Sequence, residues 1–449
     1  MTRLLDPLFR TDAMRDIFSD QARLQGMLDF EAALGRTQAR LGVIPKAAAP
    51  AIEAQCQAKL FDLEALAHVT ALSGNPAIPM VKALTALVAK RDTKAAGYVH
   101  WGATSQDAMD TGLVLQLRNA VDSIDADLAG LAHALARLAK KHQRAPMAGR
   151  TWLQQALPIT VGLKAAGALS ALERHRARLR ELRERVLVIQ FGGAAGTLAS
   201  LGERGLDIAK ALAAALKLGL PDISWHSHRD RIAEVATTLG LLVGTLGKIA
   251  RDVSLLMQTE VGEAFEPAAP GRGGSSTLPH KRNPVGCAVV LAAATKVPAL
   301  VSVMLAAIVQ EHERGLGNWH AEWETLPEIC LLSAGALGQV TQIIEGLEID
   351  TARMRRNLDA THGLILAEAV SAALAPKLGR DAAHALIEEA CRRAVERGEP
   401  LRDVLANDAQ VGKHLSAADL DRLFNPVNYL GVAEQFVDRV LATRSVRKK

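Results

Sequence analysis

The sequence predicts an all-α fold built around a central bundle of long helices, and three observations support this. The chain is rich in strong helix formers such as Ala, Leu, Arg and Glu, while aromatic residues make up only 3% of it. Apolar residues recur at alternating spacings of three and four along two stretches, the pattern of a buried helix face. With 449 residues, 49% of them hydrophobic, the chain can fill two or three domains.

The elements divide the chain into three predicted domains. Residues 1–111 are predicted to be an N-terminal helical domain, and residues 348–449 a small helical domain with shorter helices. Residues 112–347 are the predicted central long-helix bundle. Two apolar stripes mark its helices: Leu117, Val121, Ile124, Leu128, Leu131, Leu135 and Leu138, and then Val235, Leu239, Leu242, Leu246, Ile249, Val253 and Leu256. Helices are expected over about 158–188, 231–260, 285–310 and 326–347.

Composition excludes several classes of protein. The net charge of +5 suits a small anionic substrate, and the scarcity of aromatic side chains argues against a nucleic-acid platform. The four cysteines have no metal-ligand spacing, and no metal is expected. The most apolar stretch, residues 286–310, is interrupted by Lys296 and Pro298, so we expect a buried, kinked bundle helix rather than a membrane span. The first residues show no signal peptide, which predicts a cytoplasmic protein.

Three polar segments flanked by glycine interrupt the helical pattern, and such segments often carry function. They cover residues 100–111 (HWGATSQDAMDT), 149–162 (GRTWLQQALPITVG) and 271–286 (GRGGSSTLPHKRNPVG). In the third segment, glycines allow backbone N–H groups to converge on an anion, and Lys281 and Asn283 add a positive charge and amide donors. Ser275 or Ser276 could exchange a proton. The set would stabilise an enolate-like carboxylate while a hydroxyl moves a proton at the adjacent carbon.

The third segment resembles the signature of the fumarase/aspartase superfamily. GSSTLPHKRNP matches the pattern GSSxMPxKxNP except at Leu278, where Met is usual. The other two segments are similar to TSxD and GRTHxQxAxP of the same superfamily, in the expected order. The resemblance implies a three-domain helical fold, a homotetramer, and active sites assembled from three subunits. It also gives the proton-transfer role to the first serine, Ser275.

One residue departs from the superfamily pattern. Trp152 stands where a histidine is usual, and in members that expel an amine or hydroxide that histidine is linked to protonation of the leaving group. An indole N–H is a donor only and does not titrate. A carboxylate leaving group needs no proton, since the pKa of its conjugate acid is about 4. The resemblance therefore implies a cycloisomerase, an intramolecular lyase in which a carboxylate of a small tricarboxylate diene adds across a double bond.

The remaining candidate residues are assigned by their place in the three segments. Ser275, Lys281 and Asn283 are the expected catalytic residues. No cofactor is expected, and neither a membrane nor a nucleic-acid partner. The expected substrate-binding residues are His100, Thr104, Ser105, Thr151, Trp152, Gln154, His280 and Arg314. A structural hydrogen bond to the backbone is an equally good interpretation of His100. Packing within the loop is an equally good interpretation of His280.

Two alternative functions remain open from the sequence. Adenylosuccinate-type C–N lyases have a sequence similar to WHSHRDRIAE at residues 225–234, although Trp152 counts against this function. A non-catalytic helical scaffold is the alternative of another class, and the intact signature segment counts against that.

Overall fold

A computed structural model describes residues 4–446 of the chain, most of them in helices. Backbone contacts divide these residues into two compact units. The first unit runs up to Leu128 and includes 175–247 and 289–338. The second comprises 129–174, 248–288 and the chain from residue 339 onward. The division into three domains, with boundaries after residues 111 and 347, stays a prediction.

The five longest helices each contribute residues to both units. They are Ser105–Lys141, Val161–Val186, Asp230–Leu256, Val285–Ala306 and Asn318–Glu345. The residues of the two predicted apolar stripes lie on the helices Ser105–Lys141 and Asp230–Leu256, and most of them are buried. The prediction of an all-α fold with long helices is confirmed.

The last long helix begins at Asn318 rather than at the predicted residue 326, so that Pro327 lies inside it. A proline inside a helix cannot donate to the carbonyl four residues earlier. Here that carbonyl belongs to Trp323, and the guanidinium of Arg23 donates to it at 3.0 Å. A side chain from another helix thus replaces the missing backbone donor, which the local sequence pattern does not reveal.

Within the first unit, small residues allow the long helices to approach each other closely. A Cβ at Gly240 would lie 3.0 Å from Val301, and one at Gly247 would lie 2.7 Å from Ala294. The two glycines are seven residues apart and therefore lie on one face of Asp230–Leu256. That face packs against Val285–Ala306.

The shorter helices complete each unit. In the first unit they are Asp6–Phe9, Asp12–Ile17, Asp20–Arg40, Ala48–Glu53, Leu63–Ser73, Ala77–Ala89, Thr93–Ala96 and Gly205–Leu216, with 3₁₀ turns at Ala58–Leu60 and Ala199–Arg204. In the second unit they are Thr351–Asp359, Ala367–Leu378, Arg380–Arg397, Leu401–Ala406, Ala409–Gly412, Ala417–Leu423 and Ala433–Val446, with 3₁₀ turns at Leu364–Leu366 and Pro426–Tyr429.

Two small antiparallel sheets interrupt the helical fold, both in the second unit. Pro146–Thr151 pairs with Gln154–Thr160, and Ala264–Phe265 pairs with Glu348–Ile349. The first sheet occupies most of the predicted polar segment 149–162, which is therefore a β-hairpin rather than an irregular loop. Because the two strands are short, the hydrophobic pattern of the long helices on either side hides their own alternating pattern.

Within residues 4–446, two single helices are long and apolar enough to cross a membrane by length and composition, namely Asp230–Leu256 and Val285–Ala306. Their most apolar windows are 61% and 28% buried within the chain, respectively. The expectation that the stretch 286–310 is a buried helix is therefore wrong for the single chain, because this chain alone covers only a minor part of that surface. Its apolar face is available for contact with another molecule.

Candidate active site

The carboxylate of Asp107 organises the first polar segment. It is completely buried, and it lies in the first turn of Ser105–Lys141. It accepts five hydrogen bonds, from the backbone N–H groups of Thr104 (3.0 Å), Gly192 (3.0 Å) and Gly193 (2.9 Å), from Gln190 Nε2 (3.3 Å) and from His226 Nε2 (2.8 Å). A buried charge is tolerated when its lone pairs are satisfied in this way. These bonds fix the start of the helix, and with it Thr104 and Ser105.

Thr104 and Ser105 are half-buried at the N-terminus of that 37-residue helix. Their hydroxyls make no hydrogen bond within the described part of the chain. A helix N-terminus favours an anion through its free N–H groups and its dipole. The two residues are therefore well placed to hold a carboxylate.

Arg314 lies beside this helix terminus. Its Nε donates to Oε1 of Gln106 at 3.0 Å, and its Nη2 donates to the carbonyl of Ala194 at 3.1 Å. Gln106 is buried and also donates to Asp110 and to the carbonyl of His226. The guanidinium is exposed and keeps donors free, so the first unit brings Arg314 and the 104–107 turn together.

A buried ion cluster lies one turn further along the same helix. Arg229, 1% exposed, makes bidentate contacts with Asp110 at 2.7 and 3.0 Å and with Glu322 at 2.5 and 3.0 Å. Burial alone would lower the pKa of this guanidinium, but the two carboxylates raise it well above its usual value. Trp319 also donates to Asp110, at 3.3 Å. Through Arg229, the cluster joins Asp110 on the helix Ser105–Lys141 to Glu322 on the helix Asn318–Glu345.

His100 is held by a carboxylate rather than by the backbone. Its Nδ1 lies 2.5 Å from Oε1 of Glu31, a residue only 1% exposed on the helix Asp20–Arg40. Burial lowers the pKa of His100, but the charge of Glu31, their hydrogen bond and the charge of Asp107 outweigh burial and raise it. The His100 side chain is therefore hydrogen-bonded to a carboxylate and not to the backbone, as the alternative interpretation expected.

In the second unit, Trp152 and Leu153 form the turn of the β-hairpin. Thr151 pairs with Gln154, which leaves a two-residue loop. Both loop residues have positive φ, 52° and 65°, a conformation that favours Asn and Gly and is unusual for bulky side chains. Trp152 is 97% exposed and Leu153 75%, so the hairpin presents two large apolar side chains on its tip, beside the exposed Thr151 and Gln154.

The hairpin is anchored at Arg150. Its guanidinium makes two hydrogen bonds, of 2.9 and 2.7 Å, to the fully buried Glu263, which also accepts from Asn357 Nδ2 at 2.7 Å. Arg150 is thus a positioning residue that the sequence analysis did not single out, although it belongs to the motif GRT.

The signature loop carries Ser275, His280, Lys281 and Asn283 in the second unit. Ser275 Oγ accepts from the backbone N–H groups of Thr277 (3.3 Å) and Leu278 (3.0 Å). Asn283 closes the loop by donating from its backbone N–H to Gly273 at 2.7 Å and from Nδ2 to Gly274 at 3.3 Å. Ser275 is half-buried, whereas Ser276, His280 and Lys281 are exposed. The assignment of proton transfer to Ser275 rather than Ser276 stays a prediction; donors such as the two N–H groups facing the Ser275 oxygen favour negative charge there.

The loop is fixed at its end by Glu266. This carboxylate, 2% exposed, accepts from the backbone N–H groups of Gly286 (3.1 Å) and Cys287 (2.7 Å) in the first turn of Val285–Ala306. Gly273 is required within the loop, because it has φ 70° and a Cβ there would lie 2.7 Å from the carbonyl of Asn283. Neither Glu266 nor Asp107 appeared among the candidates. Asp107 ends the TSxD segment, but its role as a buried acceptor, like that of Glu266, depends on donors that are distant along the chain.

The chain belongs to the lyase family, the fumarase/aspartase superfamily that the signature segment resembles. The family model for Lyase matches residues 9–299. A second model, described as adenylosuccinate lyase C-terminus, matches residues 363–440.

Several similar proteins are named as cycloisomerases or lactonizing enzymes. A 3-carboxy-cis,cis-muconate cycloisomerase from Pseudomonas aeruginosa is 61% identical over 98% of this chain and 96% of its own length. One from Bradyrhizobium diazoefficiens is 56% identical over 98% of both chains. The crystal structure of 3-carboxy-cis,cis-muconate lactonizing enzyme from Pseudomonas putida is 57% identical, covers 100% of both chains, and superimposes with a TM-score of 0.96.

Proposed function

We propose that the chain catalyses the conversion of 3-carboxy-cis,cis-muconate to 4-carboxymuconolactone, a step of protocatechuate catabolism in the β-ketoadipate pathway. Full-length similarity to cycloisomerases supports this. The single observation in the chain itself is Trp152 at the tip of the hairpin. A side chain without a titratable group suits a reaction whose leaving group, in reverse, is a carboxylate.

The reaction is an internal addition in which the trianionic substrate takes up one proton and becomes a dianionic lactone. A substrate carboxylate oxygen forms a C–O bond to one carbon of a double bond. The electron pair of that double bond moves to the neighbouring carbon, which takes on enolate character with its own carboxylate. A proton delivered to this α-carbon completes the lactone.

The residues of the signature loop carry the proton and the charge. Ser275 gives the proton to the α-carbon, and the N–H groups of residues 277 and 278 stabilise its oxygen until a proton from solvent restores the hydroxyl. Lys281 and Asn283 stabilise the enolate-like carboxylate with a positive charge and amide donors. These groups supply the electrostatic stabilisation from the chain itself, so the proposed reaction needs no metal and no cofactor.

The remaining carboxylates of the substrate require separate binding groups. Thr104 and Ser105 offer hydroxyls at a helix N-terminus, and His100 and Arg314 offer positive charge. Thr151, Gln154 and His280 supply further hydrogen-bond donors, and the Trp152 indole forms a wall against the planar diene. The exposure of Trp152, Lys281 and His280 in one chain supports a site completed by other copies of the chain, as in a soluble, cytoplasmic homotetramer.

The proposal is tested by following the conjugated diene of 3-carboxy-cis,cis-muconate in the ultraviolet. Purified protein should remove this absorbance, and adenylosuccinate and argininosuccinate, run alongside, should stay intact. The C-terminal family match makes adenylosuccinate the relevant competitor. Cleavage of adenylosuccinate without loss of the diene would favour the C–N lyase, and no reaction with any of the three substrates would favour the scaffold.

A further inference from the structure

Two side chains of one helix hold the backbone turn that carries His100. Glu31 and Gln38 lie seven residues apart on Asp20–Arg40 and are both buried. Glu31 bonds the His100 ring at 2.5 Å, and Gln38 Nε2 donates to the carbonyl of Trp101 at 2.7 Å. His100 itself has φ 59°, a strained conformation that persists only where the surroundings enforce it. The helix thus fixes both the ring and the backbone of this residue.

In the described part of the chain, the Glu31 carboxylate has a single hydrogen-bond partner, the His100 ring. Its second oxygen, Oε2, is buried and has no hydrogen-bond partner in the described part of the chain. The nearby Cys56 does not supply a charge, because burial first, and then the charge of Glu31, raise the pKa of its thiol far above its usual value. A buried carboxylate with one partner is unfavourable unless that partner is positively charged.

The groups that face His100 all favour its charged form. Glu31 approaches from one helix, and Asp107 acts from the first turn of Ser105–Lys141. Asp107 is itself in contact with His226 at 2.8 Å. With Nδ1 bonded to Glu31, Nε2 is the donor that remains, and the side chain keeps 16% of its surface open.

We propose that Glu31 is a positioning residue that keeps His100 as an imidazolium, with its Nε2–H available to a carboxylate of the substrate. The inference rests on the proposed function, since it assigns the trianionic substrate as the ligand of this imidazolium. Glu31 does not contact substrate and acts through His100. A residue kept for packing alone would not need a buried carboxylate with one oxygen unpaired.

The Glu31→Gln variant tests this role, because it retains the shape and removes the charge. In the wild type, kcat/KM should fall as the pH rises through the raised pKa of His100. In the variant, burial is no longer opposed by Glu31, so the fall should occur at lower pH. Near neutral pH we expect KM to rise about tenfold, with kcat less affected, because the substrate carboxylate would lose a charge-assisted hydrogen bond. Lowering the pH should restore most of this loss.

Three further variants make the test specific. Asp29→Asn removes an exposed carboxylate of the same helix that accepts a hydrogen bond from Gln25, and it should leave the pH profile unchanged. The His100→Asn variant should lose the fall of kcat/KM at high pH. Adding Glu31→Gln to that variant should change its pH profile little. Glu31→Asp keeps the charge and should retain the fall at high pH. An equal loss of activity at every pH in Glu31→Gln would show a structural role and overturn the proposal.

A measurement without substrate separates this inference from the proposed function. The raised pKa of His100 implies that the pair stabilises the fold fully below the unfolded pKa of about 6.5 and loses this effect as the pH rises through the folded value. The difference in Tm between wild type and Glu31→Gln should therefore shrink as the pH rises above 6.5 and through the folded pKa of His100. A constant difference overturns the proposal even if the muconate is converted. If Glu31→Gln does not fold, an unchanged fall of kcat/KM at high pH in His100→Asn overturns it as well.

Discussion

Ser275 is the residue on which the proposed chemistry depends most directly. Its hydroxyl oxygen faces two backbone N–H groups in a loop that Asn283 closes. The Ser275→Ala variant should lower kcat about a thousandfold, the range expected for loss of a positioned acid or base. KM and Tm should change little. The measurement is steady-state kinetics on the muconate, with a thermal melt to confirm folding.

Ser276→Ala is the matched control for this prediction. Ser276 is adjacent in the same loop and exposed, so its variant should keep near-normal kcat. Equal losses in both variants would indicate a disturbed loop rather than a missing proton donor. Normal activity in Ser275→Ala would remove this serine from the mechanism.

At the residue scale, the sequence pointed to motif residues better than to buried acceptors. Ser275, Lys281 and Asn283 stand in a signature segment whose sequence marks them as candidates. The buried acceptors Asp107, Glu263 and Glu266 are recognised only when donors from distant parts of the chain are seen to converge on them. One-dimensional spacing carries no information about such convergence.

At the element scale, Arg229 joins three long helices within the first unit. It lies just before Asp230–Leu256 and bridges Asp110 and Glu322 on two others. The Arg229→Met variant leaves two carboxylates buried without a countercharge and should cost about 3–5 kcal/mol of folding free energy. A fall in Tm measures the loss. Arg185→Met, at the exposed pair with Glu234, should leave Tm nearly unchanged, and an equal fall there would contradict this account.

The hairpin tip combines strain with exposure. Leu153→Gly relieves a positive φ at a bulky residue and should raise Tm slightly while activity is retained. Trp152→Asn relieves the same strain at its neighbour and should reduce activity, because the proposed wall against the diene is lost. Comparing kcat/KM and Tm of the two variants separates the conformation of the turn from the function of the indole. Full activity in Trp152→Asn would exclude the indole from the site.

Helix positions were predicted well because their signal is local. The apolar spacing of three and four residues located the helices within a few residues, except where Pro327 concealed an early start. The hairpin and the five-donor environment of Asp107 were missed, since both depend on contacts between segments distant along the chain. The sequence marked the segment 149–162 as a candidate functional segment, which stays a prediction, and did not reveal its strand pair.

At the scale of the whole molecule, the apolar surface of Val285–Ala306 predicts association. Only 28% of its most apolar window is covered in one chain, and large exposed apolar surface marks an interaction site. For the proposed homotetramer, light scattering should give four times the 47.8 kDa of one chain. A fully active monomer would contradict both the tetramer and the shared site.

Subunit exchange tests whether the sites are shared. A Ser275→Ala chain mixed with a Thr104→Val chain should regain activity after exchange, because some sites would then combine intact segments from different copies. Each variant exchanged with itself is the control and should stay inactive. No recovery despite proven exchange would place each site within one chain.

Activity should also survive prolonged dialysis against a chelator. Within residues 4–446, no group of three or more His, Cys, Asp or Glu side chains could hold a metal ion, and the proposed charge stabilisation comes from Lys281 and backbone N–H groups. The assay compares kcat before and after dialysis. A loss that a divalent ion restores would contradict the proposed electrostatics.

The most direct measurement of the central claim compares two substrates in two proteins. Values of kcat/KM are determined for 3-carboxy-cis,cis-muconate and for adenylosuccinate, with the wild type and Trp152→His. The wild type should convert only the muconate, and histidine should not improve this, because a carboxylate leaving group gains little from a proton donor at neutral pH. Efficient adenylosuccinate cleavage by the wild type, or a large gain in lactonisation from histidine, would contradict the account.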